Sequence, residues 1–403
     1  MTRRRLPRPR ELQRILRPRP VELNPTDRRL AKAHTIADLR TIARRRTPRA
    51  VFDYADGAAE LEESLRRARQ AFRAVEFHPS VLRGVSDVDT GVPVLGERSA
   101  LPFAFAPTGF TRMMHHEGER AVVRVAQRER IPYVLSTMGT VSIEQVASAA
   151  PQARKWFQLY VWRDHGAGRE LMQRAWDNGY GTLLLTVDTP VGGARMRDVR
   201  NGLTIPPALT LRTFADGALH PAWWFNLLTT EPLTFASFES WNGTVAELIN
   251  SLFDPALNFD DLAWVRETWP GKLVVKGIQN PADAREVVKC GADAVVLSNH
   301  GGRQLDRAPT PLELLPATLD AVGGDAEVWL DTGILSGGDI VAAMAQGASL
   351  CLVGRAYLYG LMAGGERGVQ RCVDILRGEI VRTMQLLGVR RITDLTPAHV
   401  TVR

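Results

Sequence analysis

Residues 271–303 read GKLVVKGIQNPADAREVVKCGADAVVLSNHGGR. Two short apolar runs, 271–277 and 292–299, flank an amphipathic stretch, NPADAREVVKCG, that closes on a glycine. A buried strand, a helix ended by glycine and a second buried strand make one βαβ unit. Working outward, six more apolar runs fall at 101–107, 131–137, 155–161, 181–188, 326–333 and 348–354, with SGGDIVAAMAQG a second clear Gly-closed helix. Strands that alternate with helices give a parallel sheet. Eight of them predict an α/β fold, a closed (β/α)8 TIM barrel rather than an open sheet.

The first 50 residues hold 15 Arg and one Lys against four acids, a net charge of +12. The whole chain carries +7, so the other 353 residues carry 7 − 12 = −5. The basic character therefore belongs to a tail. Residues 1–30, rich in Arg and Pro, are expected to be extended or weakly ordered. Residues 31–403 are expected to form the barrel domain, with an N-terminal helical extension starting at the Thr35 cap of TIADLRTIARRR. No aromatic residue interleaves the basic tail, which argues against nucleic acid. A subunit-contacting arm is expected first, and an anionic membrane surface second. Three scattered cysteines, Cys290, Cys351 and Cys372, have neither disulfide nor metal spacing, so no metal site is expected and a cytoplasmic setting is. No apolar stretch reaches the length of a membrane span.

One long insert, about 200–262, separates the fourth and fifth runs. From Phe214 to Phe253 it has eight Phe or Trp, four acids and no Lys or Arg, with HPAWWFNLL (220–228) inside. A lid or subunit contact is the plain expectation. A face lying in a membrane interface is the sharper one, because Trp favours that zone.

In such a barrel the functional residues collect at the C-terminal strand ends. Here every run ends in a hydrogen-bonding or ionisable group: Thr108, Ser136, Gln158 with Tyr160, Thr186 with Asp188, Lys276, His300 with Arg303, Asp331, and Gly354 with Arg355. A single strand-end Thr or Gln usually serves the backbone, and a single His is seldom catalytic. Eight such ends describe a polar ring around one mouth. Within it Asp188 is suited to orient an imidazole. Arg195 and Arg303 are each suited to grip a carboxylate. The Gly-rich turns after runs seven and eight offer a phosphate seat.

The stretches SNHGGRQLD, KWFQLY, LTVDTP, LVVKG, APTGF and DTG…VGR resemble the FMN-dependent α-hydroxy acid dehydrogenases and oxidases over roughly residues 35–400. The similarity is greatest to the quinone-type L-lactate dehydrogenases of actinobacteria. The resemblance implies FMN as cofactor and an L-2-hydroxy acid, L-lactate first among them, as substrate. It implies His300 as active-site base with Asp188 behind it. Arg195, Arg303, Tyr54 and Tyr160 are then substrate ligands, and Lys276 lies beside the flavin. Pro107, Thr108, Gly109, Ser136, Gln158, Thr186 and Ser298 hold the ring system; Asp331, Gly333, Gly354 and Arg355 hold the phosphate end. It also implies a homotetramer, a quinone or other acceptor, and peripheral contact with the inner face of a membrane. Leu335 departs from the pattern, since many relatives carry arginine there, and the phosphate is expected to rely on Arg355 and backbone amides. Pocket positions Met138 and Gly192 are expected to admit more than glycolate. An O2-using 2-hydroxy acid oxidase or lactate 2-monooxygenase is the alternative reading. An FMN barrel with another substrate is disfavoured by the two arginines, and a non-catalytic barrel would be colourless.

Overall fold

The computed structural model describes residues 8, 11–12, 22–161, 165–202, 216–233, 236 and 254–403. Eight parallel strands close on themselves in sequence order: β1 (Phe103–Phe105), β2 (Tyr133–Ser136), β3 (Lys155–Leu159), β4 (Tyr180–Thr186), β5 (Lys272–Ile278), β6 (Ala294–Leu297), β7 (Glu327–Leu330) and β8 (Leu350–Val353). Pairing of Cys351 with Phe103 seals the ring. All eight expected runs are strands. Helices cover the barrel outside and side chains fill it inside, so each strand is buried on both faces and reads as an unbroken apolar run.

The helices form where their ends are satisfied. Asn280 caps Pro281–Lys289 through its side chain, with proline in the first turn. Ser336 caps Gly337–Ala345. Thr35 and Asp38 make a reciprocal capping box at the start of Ile36–Arg46. The expectation of an extended stretch up to residue 30 is corrected here. Asn24 accepts from the amides of Thr26 and Asp27 and starts a helix, Pro25–Leu30, whose Leu30 is buried. A cap followed by proline outweighed the Arg/Pro composition. Residues 203–215, 234–235 and 237–253 of the insert lie outside the described residues.

One end of the barrel is plugged. Trp156 on β3 and Trp329 on β7 are buried and stack with ring centroids 5.1 Å apart. These strands stand opposite each other in the ring, so the contact runs through the barrel interior. A hairpin, Val92–Val94 with Glu97–Ser99, lies across the same end. The Leu95 amide donates to Glu327 at 2.6 Å, and Arg154 donates to the Val94 carbonyl at 2.6 Å. The opposite end stays open for chemistry.

The wall of that open end is tied by Asp56, the last residue of the helix Arg49–Asp56. Its carboxylate accepts from Arg40 at 2.8 Å, Arg197 at 2.9 Å and the Tyr359 hydroxyl at 2.8 Å. One buried side chain thus joins the N-terminal helix Ile36–Arg46, the segment after β4 and the long C-terminal helix Arg355–Leu387. Burial by itself raises the Asp56 pKa, but Arg40, Tyr359 and Arg197 outweigh it and hold the group at about 2. A folded pKa below the unfolded one stabilises at pH above the unfolded value, near 4. That stabilisation is lost as pH falls through about 2. Asp56→Asn is expected to cost about 2 kcal/mol at pH 7, a shift of nearly two pKa units at 1.36 kcal/mol each. The Tm gap between variant and parent should close between pH 4 and pH 2 in calorimetric scans. A gap that is absent at pH 7, or independent of pH, would contradict the assignment.

Candidate active site

β6 ends at Leu297, and the chain then enters a tight turn, His300–Gly302, with positive φ at three successive residues: 58° at His300, 68° at Gly301 and 76° at Gly302. Positive φ costs a residue with a side chain of order 1 kcal/mol, so His300 is held there by its surroundings. Its amide donates to Ser298 Oγ at 3.0 Å, the Gly301 amide to Thr332 Oγ1 at 3.1 Å, and the Gly302 amide to Asn299 Oδ1 at 2.9 Å. A Cβ on Gly302 would lie 2.9 Å from the Leu65 amide nitrogen, so the turn also needs glycine for close approach. The turn carries the imidazole over the open mouth and leaves Arg303 on the same rim.

His300 Nδ1 lies 3.0 Å from Asp188 Oδ1. Asp188 is buried. Burial pushes its pKa up, yet the neighbouring His300 and Lys276 outweigh this and keep it below the ordinary carboxylate value. An ionised Asp188 fixes Nδ1 as the protonated ring nitrogen and leaves Nε2 to accept. Gly277, at φ 107°, makes room for this carboxylate: a Cβ there would come within 2.7 Å of Asp188 Cγ.

Lys276, at the end of β5, is buried with Nζ 3.1 Å from Asp331 Oδ2 and 3.0 Å from Ser298 Oγ. Burial works to neutralise the amine, but Asp331 and Asp188 overcome it and hold the pKa above the usual lysine value. The lysine therefore stays charged.

Two guanidinium groups face the Tyr54 ring, Arg303 at 4.8 Å and Arg195 at 5.4 Å from its centroid. Arg303 also donates to the carbonyls of Tyr54 and Gly57. Burial and the like charge of Arg195 draw the Arg303 pKa down to about 10, so it is cationic at neutral pH and gains from an anion beside it. Arg195 Nε stands 3.2 Å from Asp198 Oδ2. Burial raises the Tyr160 phenol well above its ordinary pKa, and it remains a proton donor in a hydrogen bond.

Tyr54, Tyr160, Arg195, Lys276, His300 and Arg303 line one cavity of about 1420 Å³, its open mouth included. Of the residues picked from the sequence, Tyr54, Pro107, Thr108, Gly109, Ser136, Tyr160, Arg195, Lys276, His300, Arg303, Asp331, Gly333, Gly354 and Arg355 line it. Gln158, Thr186, Asp188 and Ser298 do not; they stand behind the lining. Ser136 Oγ reaches Gln158 Oε1 at 3.0 Å, and Asp188 and Ser298 hold His300 and Lys276 as above. Arg355 spends Nε and one Nη on the carbonyls of Ala55 and Gly57, at 3.1 and 2.7 Å.

Gln304 and Arg69 are among the lining residues that escaped the sequence reading. Gln304 clamps the segment after β4, accepting from the Gly193 amide at 2.9 Å and donating to the carbonyls of Asp188 and Val191 at 3.1 and 2.9 Å. Its place next to Arg303 was the available signal. Arg69 enters from the helix Glu63–Arg73, far from any strand end, and no pattern announced it.

The cavity fits a flat polar ring system. Among the described residues, Gln158 Nε2 and Thr186 Oγ1 are buried without a hydrogen-bond partner. Each such orphan costs roughly 1–3 kcal/mol. The two sit at the ends of adjacent strands, where the hydrogen-bonding edge of an isoalloxazine would satisfy both.

Elsewhere, His115, His116 and Glu117 are close enough to share a cation. Burial, His116 and the guanidinium groups of Arg46 and Arg29 draw the His115 pKa down to about 3. That positive field opposes a metal ion.

Comparison with known proteins agrees with this geometry. The family described as FMN-dependent dehydrogenase matches residues 43–402. A Mycobacterium tuberculosis protein provisionally assigned as an L-lactate dehydrogenase is 59% identical over 398 residues, spanning 99% of this chain and 96% of that one. An L-lactate dehydrogenase of Stenotrophomonas maltophilia is 42% identical over 365 residues, spanning 89% and 96%. Among solved structures, a monotopic membrane protein, (S)-mandelate dehydrogenase, superposes with a TM-score of 0.88 at 37% identity, covering 92% of this chain and 100% of that one.

Proposed function

Because this chain belongs to the FMN-dependent dehydrogenase family, we propose that it oxidises L-lactate to pyruvate and hands the electrons to a quinone. One observation carries the reading: an imidazole backed by a buried carboxylate faces two guanidinium groups across a single cavity.

Bound FMN supplies the two-electron acceptor for the Cα–H bond. It would be held by Ser136, Gln158 and Thr186 at its ring and by the turns at Gly333 and Gly354 at its phosphate. Arg303 and Arg195 bind the substrate carboxylate, and Tyr54 and Tyr160 orient its hydroxyl. Pinning the acid in this way replaces a bimolecular encounter with a positioned one. Nε2 of His300 takes the proton, and Asp188 stabilises the imidazolium that results. Lys276 keeps a positive charge in the cavity lining, where it would favour electron uptake by a bound flavin.

Gly192 and Gly193 line the cavity without side chains, and this favours a second reading in which larger 2-hydroxy acids, mandelate among them, also enter. The insert helix Pro221–Leu228 leaves Phe225 68% and Leu228 74% exposed, which supports a peripheral membrane face through which a lipid-borne quinone arrives. Among the described residues no helix is long and apolar enough to cross a bilayer. The basic residues ahead of the docked helix Pro25–Leu30 then serve to contact anionic lipid or a neighbouring subunit of a homotetramer.

Anaerobic mixing with a panel of 2-hydroxy acids tests the reading. Loss of yellow colour with L-lactate but not D-lactate, followed by reoxidation by a soluble quinone much faster than by O2, is expected. Rapid peroxide release or lactate decarboxylation would favour the oxidase or monooxygenase instead. Bleaching by mandelate alone would replace lactate as substrate.

A further inference from the structure

The cofactor's phosphate end has an unassigned cation. The Gly-rich turn after β7 presents Leu335 where many relatives carry an arginine, yet the helix Glu63–Arg73 lays Arg69 into the same end of the cavity. Gly333, Leu335, Gly354 and Arg355 line that end with it. Arg69 Nη1 donates to the Gly333 carbonyl and, at 2.7 Å, to Asp339 Oδ2. Asp339 is itself anchored: its carboxylate accepts from the Leu335 amide at 2.8 Å, and its own amide donates to Ser336 Oγ at 3.0 Å in the first turn of Gly337–Ala345. The guanidinium is thereby held at the edge of the turn. The ring of Phe72, 5.7 Å from Cζ, backs it. Among the described residues, its Nε and Nη2 have no partner, and its side chain is 23% exposed.

A lone tether between helix and turn would need only the Nη1 contacts. Two spare donors on a planar fork that lines a cavity end, with glycine turns on either side, suit a phosphate. Arg355 is less free for this task, because two of its three nitrogens are given to Ala55 and Gly57. The geometry points to Arg69 as a phosphate ligand of the bound flavin nucleotide, reaching the site from outside the barrel repeat and standing in for the side chain absent at Leu335. This rests on the FMN reading above. It adds a side chain to the Arg355 and backbone amides expected from the sequence.

The test is selectivity between FMN and riboflavin, which differ only in the phosphate. Purified holoenzyme is exchanged against mixtures of the two, and the retained flavin is identified after denaturation. The parent protein should prefer FMN strongly. Arg69→Gln, which can still tether Gly333, should narrow that preference about 10- to 100-fold, the worth of one charged hydrogen-bonding group. Arg69→Lys should retain most of it, and Leu335→Arg placed in the Arg69→Gln background should restore it. If Arg69→Gln loosens FMN and riboflavin equally, the residue is a structural tether and the proposal fails. If the parent itself retains neither flavin, the cofactor reading fails instead, and Arg69 is not the cause.

Discussion

Replacing His300 with glutamine is expected to leave the flavin bound and to slow its bleaching by the 2-hydroxy acid by about 10²- to 10⁴-fold, the range of general-base catalysis. The substitution is chosen to isolate chemistry from stability. A glutamine amide can donate to Asp188 in place of Nδ1–H, so the buried carboxylate keeps a partner. It has no lone-pair nitrogen to accept the substrate proton. Anaerobic stopped-flow reads the rate, and the visible spectrum before mixing reads flavin content. Bleaching at a rate near that of the parent would remove His300 from the mechanism. Loss of flavin together with rate would mean that the turn His300–Gly302 had collapsed, since Gly301 and Gly302 pack against Arg355 and Leu65.

Arg303→Met should lower kcat/KM for the acid about 10²- to 10³-fold, with most of the loss in KM. Removing one partner of a buried charge contact costs roughly 2–5 kcal/mol, and Arg195 is left to blunt the effect. The telling comparison is with the neutral amide of the same hydroxy acid. The parent should prefer acid to amide by a wide margin, and the variant should nearly lose that preference. Equal losses on acid and amide would show that Arg303 acts by holding the carbonyls of Tyr54 and Gly57, not by binding a carboxylate.

What could be read in the chain divides along a physical line. The eight strands were legible because parallel strands buried on both faces leave unbroken apolar runs, and several of the helices between them, such as Pro281–Lys289 and Gly337–Ala345, are closed by a glycine. The rim was legible for the same reason: each run stops where the barrel opens, and the next polar residue marks the mouth. His300, Lys276 and Asp188 followed from that periodicity. Side chains that arrive from outside the repeat left no mark in it. Arg69 lies on a helix before β1, and Asp56 joins three elements that are distant in sequence. The pairing of Lys276 with Asp331 depends on how β5, β6 and β7 sit side by side, which no single run encodes. The plugging hairpin escaped because its strands are three residues long, too short for any alternation to register.

The stacked indoles of Trp156 and Trp329 bear on traffic as well as on packing. With that floor shut, visitors to the reaction chamber come, among the described residues, through the opposite mouth. The spent keto acid and whatever collects the electrons then meet at that mouth, where each guest hinders its successor until it leaves.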